Sequence, residues 1–203
     1  KPVNKAIVWQ SRQSEKICKE WIEKGYNDKV LEKTGLIINP YFSASKIKWI
    51  LENTKGLEDK LSKGEILFGT VDTYLIWNLS KGKLHITDYT NASRTMLFNI
   101  KELKWDDELL EKFALPKSIL PKVVPSSGNL GKIEILGEEV NLRAIAGDQS
   151  AALFGQCCFD LGDVKNTYGT GCFALMNTGS EVITSKNGLL STIAWHIDGK
   201  TTY

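Results

Sequence analysis

Histidine, cysteine and proline are all scarce in this sequence of 203 residues, with two, four and five copies. His85 and His196 lie far apart, and Cys18, Cys157, Cys158 and Cys172 show no Cys-x-x-Cys spacing. That excludes a zinc site and a disulfide framework on sequence grounds, so no metal ligands are assigned. Such cysteine usage points to a reducing, cytoplasmic location. No apolar run approaches the roughly 20 residues a membrane-spanning helix needs, so no membrane insertion is expected. The opening Lys1-Pro2-Val3-Asn4-Lys5 has no starting Met and no apolar core behind its charges, which is unlike a signal peptide. Charge of one sign is missing too: 26 basic against 24 acidic residues leave +2, which recommends no nucleic-acid partner. A mild basic lean over residues 1–64 reads as solvated helix surface. Repeats and low-complexity tracts are absent.

What remains is an ordinary folding composition, 42% apolar and 25% charged. A chain of this length can bury about 70% of its unfolded surface without staples. Both ends read as cut. Ala6-Ile7-Val8-Trp9 predicts a buried strand with no lead-in. Thr192 to Ile197 predicts a strand running into Asp198-Gly199, the favoured pair for a two-residue hairpin turn, before a return strand stops at Tyr203.

Between these ends the pattern alternates. Ser11 is a candidate cap for a helix with Ile17, Trp21 and Ile22 inward, stopped at Gly25. Asp28 to Lys33 predicts a second helix ending near Gly35. Ser43 can cap a third with Ile47, Ile50 and Leu51 inside. Glu65 to Phe68 predicts a strand, Thr73 to Leu79 a helix, Lys83 to Thr87 a strand, and Trp105 to Phe113 a helix closed by Pro116. After Pro125 come glycine-punctuated strands: Val140 to Ala146, then a helix from Gln149 to Gln156, then a pair from Val164 to Tyr168 and Cys172 to Asn177. Strands alternating with helices before a mostly antiparallel section argue for an α/β architecture with a mixed sheet and flanking helices.

Two motifs could carry chemistry. In Ala146-Gly147-Asp148-Gln149 an apolar strand runs out just before a small-residue helix. Asp148 is there either a helix cap or a carboxylate at the carboxyl end of a strand, where open α/β sheets keep ligand crevices. Asn166 to Phe173 places Gly169-Thr170-Gly171 between two strand-like runs, either a plain hairpin turn or backbone N–H groups and a hydroxyl able to cradle phosphate. Aromatics sit at element rims in Trp9-Gln10 and in Pro40-Tyr41-Phe42-Ser43, as core fillers or as walls of a site. The two histidines receive no chemistry.

Taken together these segments resemble a known family. Tyr41 to Asn53 is similar to the first signature of the FGGY carbohydrate kinases. Ala6 to Gln10, Asp88 to Thr95, Ala146 to Gln149 and Asn166 to Gly171 resemble the glycerol-phosphorylating members in particular. The resemblance runs from end to end and covers well under half of such a kinase. It implies a ribonuclease H-like domain of the actin-like ATPase superfamily, with residues 1–203 forming a partial N-terminal, substrate-binding domain truncated at both ends. It also implies ATP and Mg2+ as cofactors, glycerol as substrate and a homo-oligomer for the full-length enzyme. Carried over by position, Asp148 becomes the catalytic base, and Tyr41, Asp148 and Gln149 contact glycerol. Trp9 and Phe173 wall its carbon chain, and Gly169, Thr170 and Gly171 meet the nucleotide phosphates.

Two departures stand out. Ser150 replaces a second Gln after Asp-Gln. Glu134 to Glu139 holds acidic residues and no histidine, where some members bind fructose bisphosphate or carry a phosphorylated histidine. Two alternatives stay open: another sugar or polyol kinase of the family, and a stand-alone, non-catalytic polyol-binding domain.

Overall fold

The computed structural model describes residues 1–203. Five helices come first: α1 (Glu15–Glu23), α2 (Asn27–Thr34), α3 (Ser43–Asn53), α4 (Leu57–Ser62) and α5 (Val71–Leu79). A mixed stretch follows, with β1 (Ile86–Asp88), the short α6 (Tyr89–Ala92), β2 (Phe98–Asn99), β3 (Lys104–Trp105) and α7 (Asp107–Phe113). A 3-10 turn over Lys117–Ile119 leads into β4 (Lys122–Val124), β5 (Ser127–Ile135) and β6 (Glu138–Ala144). The chain then forms α8 (Asp148–Gly155), β7 (Val164–Tyr168), β8 (Cys172–Met176), β9 (Trp195–Ile197) and β10 (Lys200–Thr202). The strands are divided among five two-stranded ribbons. β1 and β4 pair in parallel, and the other four pairs are antiparallel.

The main core lies between the helices and the β2–β3 ribbon. α1 contributes Ile17, Cys18 and Trp21, α2 Val30, α3 Ile47, and α7 Leu109, Leu110 and Phe113, all against Leu97, Phe98 and Ile100. Trp21 stacks on Phe113 with ring centroids 3.9 Å apart. A polar clamp closes one side: Asp106 caps α7 by accepting from Leu109 N, and also accepts from Asn99 Nδ2 and Lys33 Nζ. Burial alone would raise the Asp106 pKa, but the Lys33 and Asn99 hydrogen bonds outweigh it and hold the carboxyl below its usual range. Two smaller clusters carry the core onward. Ile76, Ile86, Val124 and Ile145 join α5 to β1, β4 and the end of β6, while Leu153, Cys158 and Ala194 seat α8 near β9.

The turn chemistry reads well. Gly35 ends α2 at φ 70 and Gly25 follows α1 at φ 74. Asp198 and Gly199 both take positive φ, 50 and 74, and join β9 to β10 in register. The acidic segment after Ile133 is the tip of the β5–β6 hairpin, turning at Leu136-Gly137. Two of its three acidic residues are paired, Glu134 with Lys81 and Glu139 with Lys132.

Several local expectations fail. Ala6 to Trp9 is not a buried strand; Val8 is 62% exposed, and none of the ten strands in the chain lies beside it to complete a ladder. Glu65 to Phe68 is likewise no strand, and its one anchor to the 3-10 turn is Phe68 N donating to Ile119 O. Helix α1 starts three residues later than a cap at Ser11 requires, and Ile22 faces water while Cys18 is inside. Ser43 is already within α3 and makes no cap hydrogen bond.

One buried carboxylate organises the second half. Asp88 ends β1 and caps α6, and none of it is exposed. Oδ1 accepts from Thr90 Oγ1, Asn91 N and Asn91 Nδ2; Oδ2 accepts from Thr90 N and Ser126 Oγ. Ser126 in turn exchanges main-chain contacts with β9 and with Ile145. Each oxygen of Asp88 thus faces a backbone N–H that cannot reverse its role. An amide at this position would point its NH2 at one of them. Asp88→Asn is expected to destabilise the protein by about 1–3 kcal/mol, the cost of an unsatisfied buried donor. Urea unfolding at neutral pH measures this, and a midpoint equal to wild type would contradict the assignment.

Candidate functional site

The approach to the site is set by β6 and α8. Gly147 is extended, at φ −63 and ψ 150, and forms the N-cap of α8. Its N–H donates to Thr90 Oγ1 at 2.7 Å, the same hydroxyl that donates to Asp88. The start of α8 is therefore held by α6. Asp148 is the first helical residue, exposed, and its side chain makes no cap hydrogen bond. The reading of Asp148 as a helix cap is thus corrected, because the residue already lies inside the helix. Gly147 is not needed for space: an added Cβ would meet Thr90 and Asn91 at ordinary distances of 3.6 Å.

Next along the helix, Gln149 Nε2 donates to Asp148 Oδ2 at 3.0 Å. Gln149 Oε1 accepts from the ammonium of Lys165 on β7. Lys165 also reaches Thr167 Oγ1 at 2.8 Å and the Phe173 carbonyl at 3.3 Å, which ties α8 to the β7–β8 hairpin. The turn of that hairpin is Gly169-Thr170-Gly171, with Tyr168 opposite Cys172. Gly169 and Thr170 are exposed, and the Gly169 N–H closes the turn by donating to the Gly171 carbonyl at 3.0 Å. Gly171 has a packing reason, since a Cβ there would lie 2.7 Å from the Phe173 ring.

Phe173 leads to the aromatics. Trp9 meets it edge-on, with centroids 6.3 Å apart, and meets Tyr41 at 5.7 Å. Tyr41 is held by an Asx turn, its N–H donating to Asn39 Oδ1 at 2.9 Å. Lys46 Nζ donates to the Tyr41 carbonyl from the first turn of α3. Trp9, Tyr41, Phe173, Gln149 and Asp148 thus form one connected group, and the Gly169–Gly171 turn stands two residues from Phe173. An open cleft of about 340 Å³ shares Trp9 and Tyr41 with this group and is otherwise lined by Gln10, Ser11, Arg12, Glu15, Asn39 and Pro40. It does not include Asp148, so the polar half of the site lies outside that cleft.

Two cations escaped the sequence reading. Arg94, half-buried, sits over the rings of Tyr41 and Phe42, 5.9 and 5.0 Å from their centroids. Burial pushes its pKa down, while Tyr41 and the charge of Asp148 favour the ionised form. Lys165 is fully buried, and burial likewise lowers its pKa against the pull of Asp148. The exposed Asp148 carboxylate thus acts by its charge on two cations, the half-buried Arg94 and the buried Lys165. A lysine at an inward position of an alternating strand was the available signal for Lys165. Nothing local marked Arg94, whose partners lie over fifty residues away in each direction. No set of three His, Cys, Asp or Glu side chains converges anywhere. The chain by itself offers no cage for a resident divalent cation.

The chain is 60% identical to a protein named glycerol kinase in Oceanobacillus iheyensis, and 60% identical to one in Bacillus subtilis. All of this chain is matched, and it spans 41% of the length of each of those curated relatives. The crystal structure of Plasmodium falciparum glycerol kinase with ADP superposes with a TM-score of 0.94 at 38% identity, over the whole chain and 41% of that protein. A ligand-bound xylulose kinase from Lactobacillus acidophilus, 20% identical, shares the fold with a TM-score of 0.75 over 97% of this chain and 40% of that one. The architecture is therefore the ribonuclease H-like, actin-type ATPase fold. Residues 1–155 match the N-terminal domain of the FGGY family of carbohydrate kinases, and the chain belongs to that family.

Proposed function

We propose that this chain is the larger part of the substrate-binding N-terminal domain of a cytoplasmic glycerol kinase. The whole enzyme would transfer the γ-phosphoryl group of ATP to glycerol, giving glycerol 3-phosphate and ADP. The observation that carries this reading is the joining of Asp148 and Gln149 to Trp9, Tyr41 and Phe173 beside a glycine-threonine-glycine turn, in a chain 60% identical to proteins named glycerol kinase.

In this reading the three rings wall the carbon chain of a small triol, while Asp148 and Gln149 take its hydroxyls. Asp148 lies in the first turn of α8, on the same element as Gln149. A loose phosphoryl-transfer transition state asks for positioning and charge stabilisation more than for a strong base. Asp148 would orient the attacking hydroxyl and accept its proton late in the transfer. The Gly169–Gly171 turn, with the exposed Thr170 at its centre, would meet phosphate oxygens. Magnesium would arrive on the ATP phosphates as part of that substrate, in keeping with its usual mode of binding.

Two outcomes are expected. In the full-length enzyme, Asp148→Asn should lower turnover at saturating glycerol by about 10²–10⁴. Its melting temperature should hardly move, because the helix cap is Gly147 and not Asp148. Turnover above roughly a tenth of wild type would refute the role of base. Separately, the 203-residue chain assayed alone should release no ADP in response to glycerol, since it carries one phosphate turn and spans 41% of its relatives. Glycerol-dependent ADP release from the purified chain would contradict this.

A further inference from the structure

Lys165 is 1% exposed and lies at the second position of β7. Strand alternation puts Lys165 and Thr167 on the inner face, with Val164, Asn166 and Tyr168 outside. An ammonium group has three donors and no acceptor, and here the donors go to Gln149 Oε1, Thr167 Oγ1 and the Phe173 carbonyl. All three acceptors are neutral, and no ion pair involves Lys165. A buried cation served this way is a poor device for stability, since an apolar residue of similar volume usually holds a fold as well or better.

The geometry gives the ammonium a different task. Because Lys165 only donates, the Gln149 amide must turn its oxygen toward it, which settles the amide orientation chemically. The Gln149 NH2 group is then left facing Asp148 Oδ2 at 3.0 Å. The same ammonium holds the Phe173 carbonyl on β8 and the Thr167 hydroxyl on β7, the two residues that pair across the hairpin just behind its turn. One buried group thus touches both the residue that orients the carboxylate and the frame of the Gly169–Gly171 turn.

We propose that Lys165 is a positioning residue: acting through Gln149, it fixes the direction of the Asp148 carboxylate and keeps it in register with the phosphate turn. This rests on the kinase reading above, with glycerol at Asp148 and ATP at the turn.

The test uses the full-length protein as wild type, Lys165→Met, Gln149→Ala and the double variant. Lys165→Met should lower kcat/KM for glycerol by about tenfold or more, with kcat sharing in the loss, while the melting temperature stays level or rises. Added to Gln149→Ala, it should cost no more than about a further threefold, because both changes break one pathway. Wild-type kcat/KM in Lys165→Met overturns the proposal, as do losses that multiply in the double variant. A Lys165→Met protein that melts early or does not fold shows a structural role and overturns it as well. Wild-type protein that forms no ADP with glycerol counts against the glycerol reading itself. The four proteins are then compared on whichever polyol or sugar supports ADP formation, and multiplying losses there overturn the positioning role separately.

Discussion

The geometry of the site depends on a carboxylate that lies outside it. Asp88 gathers five donors from two segments: Thr90 and Asn91 of α6, through main chain and side chain, and Ser126 at the entry to β5. Through Thr90 it holds the N–H of Gly147, and through Ser126 it holds β9 and Ile145. β6 and α8 meet where they do because their junction is pinned to this group. A buried carboxylate tolerates such a place only when its acceptor capacity is nearly filled, and then it acts as a rigid node. The backbone of Asp148 is placed by the residue before it, and its carboxylate is met by Gln149 Nε2.

Charge is arranged with the same economy. The surface pairs, such as Arg12 with Glu15 or Lys132 with Glu139, are exposed and contribute little. The groups that matter electrostatically are those withdrawn from water near Asp148. Arg94 lies against aromatic faces and Lys165 against neutral oxygens, and neither forms a salt bridge among the ion pairs of the chain. Both cations feel the charge of Asp148 without pairing with it. Elsewhere, the Lys33 ammonium is shared between Asp106 and Glu108, and its pKa is raised to about 12. That arrangement binds elements together and leaves no charge to offer a ligand.

Much of this could be read from the sequence, for identifiable reasons. Asp198-Gly199, Gly35 and Gly25 carry their conformations locally, because backbone sterics at those residues leave few choices. The strand–turn–helix at Ala146 to Gln149 and the hairpin around Gly169 were legible from their punctuation. The errors arise where identity depends on a neighbour. Ala6 to Trp9 has the composition of a buried strand, but a strand exists only with a partner, and the chain supplies none beside it. Ile22 and Cys18 both fit a helical stripe, and tertiary packing chose the smaller residue. Asp148 looked like a cap because Ser, Thr, Asn and Asp favour that position, whereas Gly147 took it. Arg94 and Lys165 were beyond such reading, since their meaning lies in contacts between segments that no spacing rule connects.

The exposed segment around Trp9 gives the molecule an unfinished hydrophobic surface. Trp9 remains 44% exposed although two aromatic rings lie against it, and Val8 beside it is 62% exposed. A small molecule entering between those rings would cover protein surface as well as its own. The heat capacity of association would then report more apolar area than a ligand of a few carbons possesses.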